Sequence, residues 1–565
     1  MSAESSLAQA LAALASGDRT RAVERIAQLV GEAVLGGRAD FAAHALERAL
    51  ALAPAEPALL SRYAAVSKLG GDEATALRFA LAALELAPGD AIAAALAVEM
   101  LVERLELSRA VALGEACVAR DPRAAHVLRA LAQAYLFQGR AHEAQRAAMR
   151  AAALLPGNPA AISGACLASL YDDTLAPAEV EELHRRLGAQ LVPLAAPPYE
   201  ADAAAARAAV RIGFLTGDVA EHPVGLFAAP VLAAFDPAQV AVHVYARGAR
   251  RDALTARVRA LPLTYRDTAT LDDAQTLAVI RADRLDALID LSGHTHGGRP
   301  RLVASRAAPL QASWLGYPHA TGIPQTDALI ADAVTVPAQA GAHAIWRLPA
   351  YLPRLASDAA PGVADPPSAR GAPFTFASFN HLAKLSDRTV ALWCEVLATV
   401  PASRLVLTAL GLADPGTRER IVRRFAARGV DPARVVTMRP TSSIGALLER
   451  YAEVDLALDP LPFNGGTTTM QALAQGVPTV TLPGGSLQSR MGASIAATLG
   501  LDATLVAHDT ADYVALAGAL ARSPERLAVL RASLRGRLAA APALDPRGFA
   551  LALADHVTRA AVRTP

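Results

Sequence analysis

Prolines stand at Pro54, Pro88, Pro122 and Pro156, each 34 residues after the one before. Twelve residues ahead of each lies an alanine: Ala42, Ala76, Ala110 and Ala144. Seventeen ahead lies Gly37, Gly71, Leu105 or Gly139. Such a period predicts a pair of antiparallel helices, repeated. The glycine permits the turn between them. The alanine lets the second helix pack close against the first. The proline cannot continue that helix and opens the next unit. Three matched columns at constant spacing over four units disfavour the alternative, an alanine-rich bundle without repeats.

This is the period of tetratricopeptide repeats. The unit Ala125–Asn158 fits it best, with Leu128, Leu131, Ala132, Tyr135, Gly139, Ala144, Ala148, Ala151 and Pro156. Pro57–Asp90 is nearly as good, and the third unit departs at Leu105. Residues before Arg21 are expected to form a capping helix or partial repeat. Residues 1–190 are assigned to this array and its caps. Such a solenoid offers a concave face that holds a polypeptide, and it implies no chemistry.

The chain has 565 residues, too many for one core, so two or three domains are expected. A net charge of +1 argues against a broad nucleic-acid surface. Cys117, Cys166 and Cys394 are far apart and form no CxxC pair, so buried thiols in a reducing compartment are expected. The first residues, MSAESSLAQA, lack a basic secretory signal. The longest uncharged stretch, Pro460–Ser489, is broken by Gly and Pro and does not read as a membrane span. Together these features point to a cytoplasmic protein that engages neither membrane nor nucleic acid.

After a Pro/Ala-rich boundary at Leu191–Ala206 the pattern changes. Ten short apolar runs follow, beginning at Arg211, Ala241, Asp286, Gln311, Asp327, Phe374, Arg404, Arg434, Val454 and Val477. Helical stretches such as Ser386–Thr399, Pro415–Arg428 and Ala446–Glu453 lie between many of them. Alternation of this kind predicts parallel sheets covered by helices on both faces. The Pro/Gly/Ala-rich segment Ser357–Pro373 divides the region into two Rossmann-like lobes, 207–360 and 371–565. Ligands are expected at the carboxyl ends of their strands. With a separate core, an α/β region begun near Leu191 is expected to retain nucleotide binding.

Three stretches carry candidate chemistry. FASFNHLAKLSD places Asn380, His381 and Lys384 just after a strand. LDPLPFNGGTTTMQAL runs from a strand through Gly465 and Gly466 into a helix opened by Thr467–Thr469. A helix start of this composition offers N–H groups, hydroxyls and a positive dipole end to a phosphate. A plain N-cap and turn would have the same look. TGDVAEHPVG contains Asp218 and His222, the latter a candidate base or substrate contact, or an ordinary loop histidine. DLSGHTHGGRP carries Gly293, His294 and His296, but its His-x-His has no nearby acidic or cysteine complement, so metal binding is discounted. WLGYPHATG, with Tyr317 and Pro318, reads as a shaped loop at a strand end. The chain contains no Asp-x-Asp, a common metal clamp for nucleotide diphosphates, so the diphosphate charge is left to lysine, hydroxyls and a helix end.

In this order, behind tetratricopeptide repeats and followed by GVPTVTLPGGSLQSRMGAS, these stretches resemble the protein O-GlcNAc transferase family, including its bacterial members and the plant Spindly branch. The resemblance covers nearly the whole chain. It implies a GT-B fold and inverting, metal-independent transfer of N-acetylglucosamine from UDP-GlcNAc to Ser or Thr of polypeptide. Partners would be the nucleotide sugar and a polypeptide acceptor held by the array, with no cofactor beyond the donor substrate. The family's diphosphate-binding lysine falls on Lys384 and its threonine pair on Thr467 and Thr468. Asn380, His381, Gly465, Gly466 and Gln471 complete the expected nucleotide-sugar site. His222 falls on the histidine proposed as base, so His222 and Lys384 are the catalytic candidates. Gly293, His294, Tyr317 and Pro318 are assigned to the substrate pocket. Three positions depart from the animal enzymes: Gly466 replaces a histidine, Gln471 replaces the acidic residue that holds the ribose, and an apolar residue near Leu447 replaces the histidine that stacks on uracil. ASFNHLAK resembles the Spindly branch, whose members use GDP-fucose, whereas SLQSRMGAS resembles the O-GlcNAc branch. A protein O-fucosyltransferase and a non-catalytic repeat scaffold are the alternatives.

Overall fold

The computed structural model describes residues 2–197, 199, 209–337, 344–356 and 361–563. Most of the Leu191–Ala206 boundary from 198 onward, residues 207–208 and 357–360, and the last two residues therefore lie outside the described residues. The chain forms two compact units, Met1–Leu155 with Ala413–Thr417, and Pro156–Leu412 with Arg418–Pro565.

The first unit is a run of helices: α1 (Ala3–Ala15), α2 (Arg19–Leu35), α3 (Ala39–Leu52), α4 (Pro57–Leu69), α5 (Glu73–Leu86), α6 (Ala91–Glu103), α7 (Leu107–Arg120), α8 (Ala125–Phe137) and α9 (Ala141–Leu154). The columns of the repeat have direct physical counterparts. Ala42, Ala76, Ala110 and Ala144 are all fully buried, where a larger side chain would push the paired helices apart. Gly37, Gly71 and Gly139 all take positive φ in the turn between helices. Leu105 takes the same conformation, φ 60°, so the third unit keeps the turn at a cost of about 1 kcal/mol in backbone strain.

The second unit begins with a helical hairpin, α10 (Pro159–Ser169) and α11 (Pro177–Gly188). This corrects the boundary at residue 190: the hairpin belongs with the sheets. Its buried side chains, among them Ile162, Cys166, Val180 and Leu187, are its share of that unit's core. Gly188 and Gly322 approach so closely that a Cβ on Gly188 would lie 2.2 Å from the Gly322 carbonyl oxygen.

The first lobe comprises β1 (Val210–Thr216), α12 (Pro223–Ala234), β2 (Val240–Ala246), α13 (Ala253–Arg259), β3 (Thr264–Asp267), α14 (Asp273–Ala282), β4 (Ala287–Asp290), α15 (Pro300–Ala304), β5 (Leu310–Ser313), β6 (Ala328–Ala331) and β7 (Ala344–Arg347). Among the described residues its seven strands lie in the order β3-β2-β1-β4-β5-β6-β7, with every pair parallel. Strands buried on both faces need continuous apolar runs, and ALID and ALIA at β4 and β6 supply them. The two edge strands, TYRD and AIWR, are not among the ten runs expected. Each is short, mostly partly exposed and carries charge, so it lacks that signature.

The second lobe comprises β8 (Thr375–Ser378), α16 (Asp387–Thr399), β9 (Arg404–Thr408), α17 (Pro415–Ala426), β10 (Val435–Met438), α18 (Ile444–Glu449), β11 (Leu456–Leu458), α19 (Thr467–Ala474), β12 (Thr479–Val480), α20 (Met491–Thr498), α21 (Asp502–Leu505), α22 (Thr510–Ala521) and α23 (Pro524–Ala540). Its parallel strands run in the order β10-β9-β8-β11-β12. The last helix, α24 (Pro546–Arg563), returns to the first lobe. Phe549 stacks on Trp314 at 6.2 Å between ring centroids, and His556 on Trp346 at 5.7 Å. The strands of the second sheet thus lie within 371–565, while the last helix of that range packs on the first lobe. Buried Asp332 ties the lobes together, accepting the Tyr351 N–H at 2.7 Å and the Ser494 hydroxyl with one carboxylate oxygen. All three cysteines are buried free thiols. Among the described residues no helix is long and apolar enough to cross a membrane.

Candidate active site

Strand order in the second lobe reverses between β8 and β11, and the crevice beyond their carboxyl ends is where such a sheet receives a ligand. The chain leaving β8 carries Asn380, His381 and Lys384, and the chain leaving β11 carries Asp459 and the Gly465–Thr468 loop. Topology thus joins two motifs that are separate in sequence. Asn380 donates to the Ser378 hydroxyl at 3.1 Å and accepts from the Thr468 hydroxyl at 2.9 Å. The Tyr451 hydroxyl donates to the Thr468 carbonyl at 3.0 Å.

His381 caps the short turn Leu382–Lys384, its Nδ1 accepting the Ala383 N–H at 3.1 Å. Burial, and then the neighbouring ammonium, push its pKa down to about 4, so the ring is neutral. Lys384 donates to the Asn464 carbonyl at 2.7 Å, and its Nζ lies 4.2 Å from the centroid of the Phe463 ring. Burial lowers the ammonium to about 8, against an opposing pull from Asp459.

Asp459 is fully buried and was not singled out in the sequence. One carboxylate oxygen accepts the Gly465 N–H at 2.5 Å and the other the Thr481 hydroxyl at 2.6 Å. Burial pushes it up to about 7. It shapes the loop before α19. A Cβ at Gly465 would lie 2.6 Å from the Thr469 hydroxyl and 2.8 Å from that of Thr468, so only glycine fits there. Gly466, as N-cap of α19, has no side chain to occupy the first-turn N–H groups. Thr467 and Thr468 are partly exposed at that helix start.

In the first lobe His222 is the N-cap of α12. Its Nδ1 lies 3.5 Å from a carboxylate oxygen of Asp218 and 3.4 Å from the Val224 nitrogen. Burial lowers the histidine pKa and raises that of Asp218, favouring a neutral ring able to accept a proton. A cavity of about 660 Å³ lies between the lobes, lined by Glu221, Leu226 and Arg257 on one side and by Ser443, Ile444, Leu448, Met470, Gln471 and Gln475 on the other. Gln471 thus stands on the cavity wall, on the helix opened by Thr467, and His222 is next in the chain to Glu221.

The assignment of Gly293, His294, Tyr317 and Pro318 to a substrate pocket is not what the geometry presents. They line no part of this cavity and are buried, with His294 and Tyr317 turned to the α10–α11 hairpin. The His294 ring bonds the Ser163 hydroxyl at 2.9 Å and the Thr321 carbonyl at 2.8 Å, and the Tyr317 hydroxyl bonds His184. Both His294 ring nitrogens are thus engaged within the protein.

Two doubly wound parallel lobes around a cavity, with a lysine and an open helix start at the second lobe's switch point, define the GT-B architecture. The sequence pattern of glycosyl transferase family 41 matches residues 184–356 and 371–553, and the chain belongs to that family. It is 33% identical over 346 residues to the probable UDP-N-acetylglucosamine–peptide N-acetylglucosaminyltransferase SPINDLY of Oryza sativa subsp. japonica, covering 60% of this chain and 37% of that protein. To the similarly named SEC of Arabidopsis thaliana it is 29% identical over 351 residues, 60% of this chain and 35% of that one. The chain thus spans little more than a third of the length of these curated relatives. A solved structure of a mutant O-GlcNAc transferase from Thermobaculum terrenum superposes with a TM-score of 0.81 at 32% identity, covering 90% of this chain and 98% of that one.

Proposed function

We propose that this chain is an inverting, metal-independent glycosyltransferase that moves N-acetylglucosamine from UDP-GlcNAc to Ser or Thr hydroxyls of polypeptide. The observation that carries the reading is the convergence of Lys384 and the α19 start at one switch point. The acceptor oxygen bonds to the anomeric carbon as the bond from that carbon to the diphosphate oxygen breaks. The departing UDP gains negative charge, which Lys384 and the first-turn N–H groups of α19 stabilise. The acceptor proton passes to a base, for which His222, paired with Asp218, is the candidate. The donor is the only small molecule required, and the repeat array supplies the surface for the acceptor polypeptide. The names of the relatives support this donor and acceptor class. The neutral Gln471 on the cavity wall favours the rival reading, transfer of fucose from GDP-fucose.

Hydrolysis and transfer assayed with each sugar nucleotide in EDTA separates these readings. Turnover of UDP-GlcNAc is expected. Turnover of GDP-fucose alone would replace the donor, loss of activity on chelation restored by manganese would refute metal independence, and no nucleotide binding at all would leave only a scaffold.

Alkaline pH is expected to weaken UDP binding. Only the protonated lysine attracts the diphosphate, and burial lowers that group to about 8. Affinity should therefore be full below about pH 7 and fall as pH rises through 8, by about tenfold per unit at most. Binding at about pH 8.5 should take up a proton, seen calorimetrically as a heat that depends on buffer ionisation enthalpy. Affinity and heat independent of pH and buffer would contradict this role.

A further inference from the structure

The turn of the α10–α11 hairpin lies against the loop that carries Lys384. The ring of Tyr171 stacks on that of Phe463, with centroids 4.9 Å apart and planes 10° from parallel. It also stands 6.4 Å from the ring of His381. Two residues on, the Asp173 carboxylate accepts the Arg388 N–H at 3.0 Å, in the first turn of α16. The turn therefore touches the second lobe on both sides of Lys384 in sequence. Further along, the hairpin is fixed to the first lobe through Ser163–His294 and His184–Tyr317. It straps the two lobes together beside the diphosphate site.

Phe463 and Asn464 together hold the lysine ammonium, one through its ring and the other through its carbonyl. An ammonium over a ring is held only while the ring keeps its orientation. Phe463 sits in an irregular loop rather than in a strand or helix, and Tyr171 is the aromatic ring stacked upon it. We infer that Tyr171 is a positioning residue for Lys384: by fixing the plane of Phe463 it aims the ammonium at the donor diphosphate, so that a helical element outside both sheets sets the geometry of the donor site. The inference rests on the reading of Lys384 as the diphosphate ligand.

The test is a double-mutant cycle on the full chain, with UDP binding read by calorimetry and donor hydrolysis as kcat and KM. Tyr171→Phe keeps the ring and is expected to bind UDP within about twofold of the unaltered protein. Tyr171→Leu is expected to lose about three- to tenfold, the scale of an aromatic pair. Phe463→Leu should lose as much, and Tyr171→Met serves as the second variant if Tyr171→Leu does not melt cooperatively. In a Lys384→Ala background, Tyr171→Leu and Phe463→Leu should cost nothing further. A merely structural contribution would instead give additive losses, and additive losses overturn the inference. So does unchanged UDP affinity in Tyr171→Leu while Lys384→Ala binds weakly. Unchanged affinity in Lys384→Ala itself would overturn the lysine reading, and this inference with it.

Discussion

A chain beginning at Leu191 is expected to lose cooperative folding and UDP binding, whereas one beginning at Pro156 keeps both. The cut at Leu191 removes α10 and α11 from the unit they belong to. It strips the cover from His294 and Tyr317 and deletes Ile162, Val180, Leu183 and Leu187 from the core. Each large aliphatic side chain buried there contributes roughly 1.5–3 kcal/mol. Four of them approach the 5–15 kcal/mol by which a domain is stable. The cut also removes Tyr171 and Asp173, hence the strap between the lobes. The cut at Pro156 takes only the array. Under the proposed function, in which the array holds the acceptor, that shorter chain should hydrolyse the donor and fail to glycosylate polypeptide. Thermal unfolding and UDP calorimetry on both chains decide the matter. A Leu191 chain that melts cooperatively and binds UDP at full affinity would show the hairpin to be dispensable.

Replacing Lys384 with alanine should weaken UDP binding by about ten- to hundredfold and nearly abolish transfer. A charge-assisted contact in a desolvated site is worth about 1.5–3 kcal/mol, and each 1.4 kcal/mol is a factor of about ten. The loss in transfer should exceed the loss in binding, because charge on the departing diphosphate is greater in the transition state than in the bound donor. Removing the ammonium relieves its own desolvation cost but leaves buried Asp459 and the Asn464 carbonyl without it, so the thermal transition is measured alongside. Asp459 would then lose the nearby positive charge that favours its ionised form. An unchanged Kd for UDP, with the thermal transition intact, would remove Lys384 from the site.

The elements read most directly from sequence were those whose cause is local. Helix, glycine or leucine turn, helix and proline recur within 34 residues, and each column answers to a contact or a torsion inside one repeat. The central strands were legible because burial on both faces demands consecutive apolar residues, while β3 and β7 at the sheet edges carry no such demand. Lys384 and the Gly465–Thr468 loop stood out because each lies at a strand end in a composition suited to phosphate.

Asp459, Tyr171 and the hairpin's allegiance were not legible. Asp459 is one acidic residue in a loop until the fold brings Thr481 and Gly465 to its two oxygens. Tyr171 follows a helix that the sequence assigned to the array and its caps, and its partner Phe463 lies in the second lobe. Asp173 and Arg388, which fix the same turn, are 215 residues apart. The sequence by itself therefore determined the repeat period, the alternation of strand and helix and the chemical character of the candidate donor-site loops, because each depends on neighbours along the chain. Only the tertiary structure decided that α10 and α11 belong with the sheets, that His294 and Tyr317 are packed rather than poised for substrate, and that β8 and β11 meet at a switch point. Those outcomes depend on which distant strands pair and which surfaces are then left to cover, and no local pattern encodes that.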